Sequence, residues 1–197
     1  MNIILSSRNP SKALQIKALF GDSKFRVLTL SDSGIEGEAV EDGETLEANA
    51  EKKARYAHER APKGSWVMAE DTGIFISALD GKPGVHSARW LGDIPTEEIT
   101  KGTLERLKGA ADRNAVFRTV AVLLDPEGVL HAFVGEVSGT MLEEPRVPPQ
   151  AKMPYSGIFV PLGHEKCWAE MTPEEENKIS HRGQALGKVR AFLESRI

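Results

Sequence analysis

A chain of 197 residues, 40% hydrophobic and 27% charged, is long enough to bury a core and too mixed for a disordered or fibrous protein. Its net charge of −4 argues against the basic footprint of a nucleic-acid binder, though not against a small anion held in a local positive pocket. The one cysteine, Cys167, excludes an internal disulfide and points to a reducing, cytoplasmic setting; no apolar run nears the ~18 residues that span a bilayer, and no basic leader precedes the first apolar stretch, so no membrane or signal segment is expected.

Taken in chain order, Asn2 to Ser6 is short and apolar, as a buried strand is. Asn9 and Pro10 then read as N-cap and first helical residue, with Leu14, Ile16, Leu19 and Phe20 supplying the apolar side of a helix. Arg26 to Leu30 is a second strand, and Asp32 to Gly43 an acidic loop. Glu44 to Ala61, rich in Ala, Glu and Lys, predicts a long helix. Trp66 to Ala69 predicts a strand that ends at the acidic turn Glu70-Asp71-Thr72-Gly73. A further helix is expected over Glu97 to Ala111. Ala115 to Leu124 and Val129 to Val137 are strand-like runs around Asp125-Pro126-Glu127-Gly128, a hairpin signal. Thr172-Pro173-Glu174-Glu175 has capping-box spacing, and the last helix places Ala185, Leu186, Val189, Phe192 and Leu193 on its apolar side. Strands alternating with helices, plus a hairpin, predict a mixed α/β fold, one domain over 1–197.

Four segments carry candidate chemistry. Ser7 to Lys12 joins the first strand to a helix N-terminus, where unpaired N–H groups suit a phosphate; Lys12 opposes the helix dipole there unless an anion is bound. The alternative is an ordinary cap with a solvent-facing lysine. On the long helix, Leu46, Asn49, Ala50, Lys53, Ala54 and Ala57 share one stripe, so Lys53 must snorkel or meet an anion. Glu70 and Asp71, at a strand's carboxyl end, suit a hard cation, with Glu41 or Glu38 completing the set; the alternative is two acids facing water. Ser180-His181-Arg182 gathers hydrogen-bond donors, or is simply a helix start.

Together the motifs resemble the inosine triphosphate pyrophosphatase family, over nearly the whole chain and in order: Asn9-Pro10-Ser11-Lys12, Glu41 to Leu46, Asn49 to Ala54, Glu70 to Gly73, Pro83 to Trp90, Ala169 to Met171 and Ile179 to Arg182. The resemblance implies an elongated central mixed sheet with flanking helices, two lobes with an active-site cleft between them, and a homodimer. It implies magnesium-dependent hydrolysis of ITP, dITP and XTP to monophosphate and pyrophosphate. By that resemblance Ser7, Asn9, Lys12 and Lys53 would hold the triphosphate. Glu41 and Asp71 would bind Mg2+, with Asp71 also orienting and deprotonating the attacking water. Thr72 would touch substrate, with Tyr155, Ser156, Glu176 and Ser180 in the same pocket and His181 and Arg182 lining the base.

The departures gather at the base-reading end. The family's Phe-Gly-Tyr-Asp-Pro segment aligns with Met153-Pro154-Tyr155-Ser156-Gly157, its lysine before Asn-x-x-Ser-His-Arg with Glu176, and a Glu after the first lysine with Gln15. These leave open the same chemistry with a shifted base preference toward C6-amino purines, or a catalytically silent nucleotide-binding module. Glu176 either enters the pocket or turns to solvent with Glu174 and Glu175.

Overall fold

The computed structural model describes residues 1–21 and 24–196. Its strands are β1 (Asn2–Leu5), β2 (Arg26–Thr29), β3 (Trp66–Ile76), β4 (Pro83–Gly84), β5 (Asn114–Leu124), β6 (Leu130–Met141) and β7 (Phe159–Pro161). Its helices are α1 (Pro10–Phe20), α2 (Leu46–His58), α3 (Thr96–Arg106), α4 (Pro173–Ile179) and α5 (His181–Glu194). The sheet order is β2-β1-β3-β5-β6-β7, with β4 paired to β3. β1 runs parallel to β2 and to β3, whereas β3–β4 and β6–β7 are antiparallel. The result is the expected mixed α/β sheet, and α1 supplies the crossover that parallel β1 and β2 require. No helix among the described residues is long and apolar enough to cross a membrane.

The chain forms two compact units. The first comprises Met1–Asp71, Thr119–Gly135 and Arg182–Ile197; the second comprises Thr72–Arg118 and Glu136–His181. In the first, Ile3 and Leu5 of β1, Met68 of β3 and Leu123 of β5 bury against Ile16 and Phe20 of α1 and Leu186, Val189 and Leu193 of α5. In the second, Ile74, Ile76, Ile99, Leu107, Tyr155, Phe159 and Trp168 form the core. Phe117 on β5 meets Tyr155, Phe159 and Trp168 edge-on, with centroids 4.8–6.2 Å away.

Local chemistry sets the element ends. Thr45, in extended backbone, accepts from the Ala48 N–H at 3.1 Å, so α2 starts at Leu46 rather than at Glu44. Thr172 and Glu175 form the expected capping box with Pro173 behind the cap. Asp125 accepts from the N–H groups of Glu127 (3.1 Å) and Val129 (2.8 Å), which closes the hairpin between β5 and β6.

One expectation fails. The acidic pair does not end a strand: β3 runs on through Glu70 and Asp71 to Ile76. The physical reason lies in the pairing. β1 covers β3 only at Trp66, Val67 and Met68, so the two acids sit beyond the carboxyl end of β1 while their own strand continues along other partners.

Candidate active site

The N-terminus of α1 forms as its sequence dictates. The Asn9 side-chain oxygen accepts from the Lys12 N–H at 3.3 Å, and the Asn9 N–H donates to Ser7 Oγ at 3.2 Å. Lys12 stands in the first helical turn, where the dipole disfavours a cation. Its Nζ lies 2.9 Å from Glu70 Oε1. The other Glu70 oxygen accepts from Arg182 Nε at 3.0 Å, and Arg182 Nη1 donates to Gln15 Oε1 at 2.7 Å. The Glu70 side chain is 1% exposed. Such burial alone pushes a carboxyl up, but Arg182 and Lys12 together outweigh it and hold Glu70 well below the usual carboxylate range.

Successive residues of a strand face opposite ways, so Asp71 makes its direct contacts with other side chains than Glu70, though it still feels the charge of Lys12. Asp71 Oδ1 lies 2.9 Å from Lys53 Nζ, and Glu41 Oε1 lies 3.0 Å from the same nitrogen. Lys53 therefore meets anions rather than snorkelling. It is Glu41, of the two acids weighed in that loop, that reaches it. Asn49 Nδ2 donates to Asp71 Oδ2 at 3.3 Å, and its carbonyl accepts from the Gly43 N–H at 2.8 Å. One carboxamide thus ties Asp71 to the loop that carries Glu41. Burial pushes the Asp71 carboxyl above its ordinary value despite Lys53, and Glu41 adds to the rise. For Lys53, burial would lower the value, but Asp71 and Glu41 reverse it, so the ammonium stays charged.

The remaining expected site residues belong to the second unit. Thr72 follows Asp71 in β3 and is half-buried. The Tyr155 hydroxyl donates to the Ser87 carbonyl at 2.8 Å. Ser156 Oγ accepts from the Gln150 N–H and donates to the Met153 carbonyl, both at 2.8 Å, closing the 150–156 loop. Ser180, fully buried, links α4 to α5. His181 stacks on Phe117 with ring centroids 4.9 Å apart and meets Trp168 edge-on. Glu176 is 7% exposed, whereas Glu174 and Glu175 lie open to solvent, so the solvated-face reading holds for those two only.

Of the expected residues of the first unit, the structure joins Lys53 to Glu41 and Asp71 directly, and Lys12 to Arg182 through Glu70. Two residues without an assigned role emerge, Asn49 and Gln15, while Glu70, expected beside Asp71 as a carboxylate for a hard cation, lies between Lys12 and Arg182. Asn49 left a signal, a polar side chain in a stripe of alanines. Gln15 left a fainter one, its place one helical turn after Lys12.

The Ham1 family matches residues 3–192. A dITP/XTP pyrophosphatase of Thermoanaerobacter pseudethanolicus is 36% identical over 200 residues, covering 100% of this chain and 98% of the relative. One from Porphyromonas gingivalis is 37% identical over 194 residues, covering 97% and 96%. Among solved structures, a HAM1 protein from Coxiella burnetii superposes with a TM-score of 0.88 at 32% identity, covering 99% of each chain. The Staphylococcus aureus Ham1 protein gives 0.87 at 30% identity, covering 100% of each. With its acidic pair, its two lysines and its capped first helix in place along this full-length match, the chain belongs to the Ham1 family.

Proposed function

We propose that the chain hydrolyses deaminated purine nucleoside triphosphates (ITP, dITP and XTP) to the monophosphate and pyrophosphate, working as one functional domain over 1–197. The observation that carries the reading is the convergence of Asp71 and Glu41 on the Lys53 ammonium, at 2.9 and 3.0 Å. A buried carboxylate and a buried lysine, joined by a more exposed carboxylate, suit a metal-bridged polyphosphate, and relatives of the same length are named for this activity.

The donor set fits a hard divalent cation. Both acids offer oxygens, and their charge converges on one point. Two carboxylates completed by substrate oxygens and water is the pattern magnesium takes. Asp71 and Glu41 would hold it, and when bound it supplies positive charge to the phosphate oxygens.

The chain's own groups do the rest. Lys53 neutralises charge that builds on the leaving pyrophosphate, and Lys12 does the same at the capped N-terminus of α1, where backbone N–H groups also suit phosphate. Asp71, its carboxyl raised by burial, orients water toward the α-phosphorus and takes its proton at Oδ2 or Oδ1. Asn49 keeps that carboxylate aimed. Ser7, Asn9 and Thr72 complete the phosphate side, while Tyr155, Ser156, Ser180, His181 and Arg182 belong to the nucleoside side. The reading also carries a homodimer in a cytoplasmic setting, for which sedimentation and fractionation are the checks.

The test is phosphorus NMR of the products from a nucleotide panel. Pyrophosphate release from ITP or XTP, stopped by EDTA and restored by magnesium, is expected; stepwise orthophosphate overturns the cleavage site. A second reading, the same chemistry with weaker selection against adenine, is favoured by one observation: Glu176 is buried.

A further inference from the structure

Four polar side chains close a ring that starts and ends on α1. Lys12 reaches Glu70 at 2.9 Å, Glu70 reaches Arg182 at 3.0 Å, and Arg182 reaches Gln15 at 2.7 Å. Lys12 and Gln15 are three apart, so they stand one above the other on the same helix face. Glu70 and Arg182 come from β3 and from the first turn of α5. The ring therefore fixes the first turn of α1 against a strand and a second helix.

Its members differ in exposure. The Glu70 side chain is 1% exposed and that of Arg182 10%, but that of Lys12 is 27% exposed. Gln15 is half-buried too, so Lys12 is the charged member most open to an incoming anion. An ammonium has three donors, and Glu70 takes one. Glu70 is the carboxylate that the Lys12 ammonium touches, at 2.9 Å, and it offsets the helix dipole that disfavours a cation there.

We propose that Glu70 is a positioning residue: it holds the Lys12 ammonium at the α1 N-terminus, ready for the triphosphate, and takes no part in binding metal. This rests on the pyrophosphatase reading above. Glu70 and Asp71, adjacent in sequence, would then divide the work, Glu70 arranging cations and Asp71 serving water and metal.

Charge and position predict opposite signs for Glu70→Gln, which makes the test decisive. Removing a negative charge beside two cations, by itself, tightens binding of any anion. Loss of positioning weakens it. The probe is inorganic tripolyphosphate, titrated by calorimetry in magnesium buffer against the full chain. The expected result for Glu70→Gln is a Kd weaker by about tenfold, with KM for ITP raised and kcat/KM lowered by at least the same factor, since Lys12 meets the phosphates both on binding and as charge builds on the leaving group. Glu70→Asp keeps the charge but withdraws the carboxylate by one methylene, and it is expected to weaken binding as well. It decides the matter if Glu70→Gln fails to fold by circular dichroism. A Kd unchanged or tighter in the folded variant overturns the proposal, since a purely structural counter-ion would lower the melting temperature and the active fraction without moving Kd or KM. An unaltered chain that binds no tripolyphosphate overturns it too. Failure of the pyrophosphatase reading looks different: tripolyphosphate binds, the variants weaken it, and no nucleotide is cleaved.

Discussion

Lys53 and Asp71, 18 residues apart in the chain, meet at 2.9 Å with both side chains 10% exposed. This pair is held from two sides. Glu41 shares the ammonium, and Asn49 holds the second carboxylate oxygen. Asp71→Asn is nearly isosteric and leaves Glu41 to neutralise Lys53, so the fold should survive. It removes the proposed base and a metal charge together. Turnover is expected to fall by on the order of 10²-fold or more, with an unchanged melting temperature. Near-normal turnover in a normally folded variant would remove Asp71 from the mechanism.

Gly43 offers a second test, through contact rather than charge. A Cβ at this position would stand 2.6 Å from Asn49 Oδ1 and 3.0 Å from Ala48 Cβ. Gly43→Ala must therefore turn the Asn49 carboxamide away, breaking its bonds to the Gly43 N–H and to Asp71. Each lost buried hydrogen bond costs about 1–3 kcal/mol. The expected outcome is a fall in activity of roughly tenfold, matched by Asn49→Ala. Because both changes break the same link, the double variant should lose little more than either single one. Additive losses in steady-state assays would show that Gly43 and Asn49 act separately.

Much of this site was legible in the sequence where its cause is local. The stripe read from spacing on α2 is the buried face found: Leu46, Asn49, Ala50, Lys53, Ala54 and Ala57. Asn9, Pro10, Thr172 and Pro173 cap their helices for reasons contained within a few residues. The failures are non-local. Two acids followed by Thr-Gly look like a turn, yet β3 runs on through them along its further strand partners, with Glu70 neutralised by Lys12 and by Arg182, 112 residues away. No periodicity reports such a partner. Nor does any local pattern report that the Tyr155 hydroxyl donates to the carbonyl of Ser87, 68 residues distant.

The hairpin turn predicts an acid-dependent stability. Asp125 is buried, which by itself raises its carboxyl; the N–H of Val129, His131 and the N–H of Glu127 outweigh this and hold it below the ordinary value of 3.8. A carboxyl depressed in the folded state stabilises above its unfolded value and loses that contribution as pH falls through the folded one. The contribution of Asp125 should thus be complete above about pH 5 and fade below 3.8. Asp125→Ala, which cannot accept the turn's N–H groups, should lower the melting temperature near neutrality and flatten its decline in acid. Thermal melts from pH 2 to 7 compare the two, and parallel curves would deny Asp125 this role.

The last prediction concerns Glu176, which lies buried on α4 while its neighbours Glu174 and Glu175 face water. An ionised carboxylate only accepts hydrogen bonds. Hypoxanthine and xanthine present a carbonyl acceptor at C6, adenine an amino donor. If Glu176 faces the base, it opposes acceptor to acceptor for ITP and finds a donor in ATP. A buried mismatch of this kind costs roughly 1–3 kcal/mol. Ser156 does not compensate, since its hydroxyl is engaged within its own loop by Gln150 and Met153. Selectivity for ITP over ATP should accordingly be modest in the unaltered chain. Glu176→Lys replaces an acceptor with a donor and should raise the ITP/ATP ratio of kcat/KM by roughly tenfold, about 1.4 kcal/mol. Glu176→Gln, which can offer either group, should fall between. The ratio is read from pyrophosphate release under matched conditions, so a general loss of activity cancels. A ratio indifferent to both substitutions would make Glu176 a residue of the α4 packing and leave base selection to other side chains.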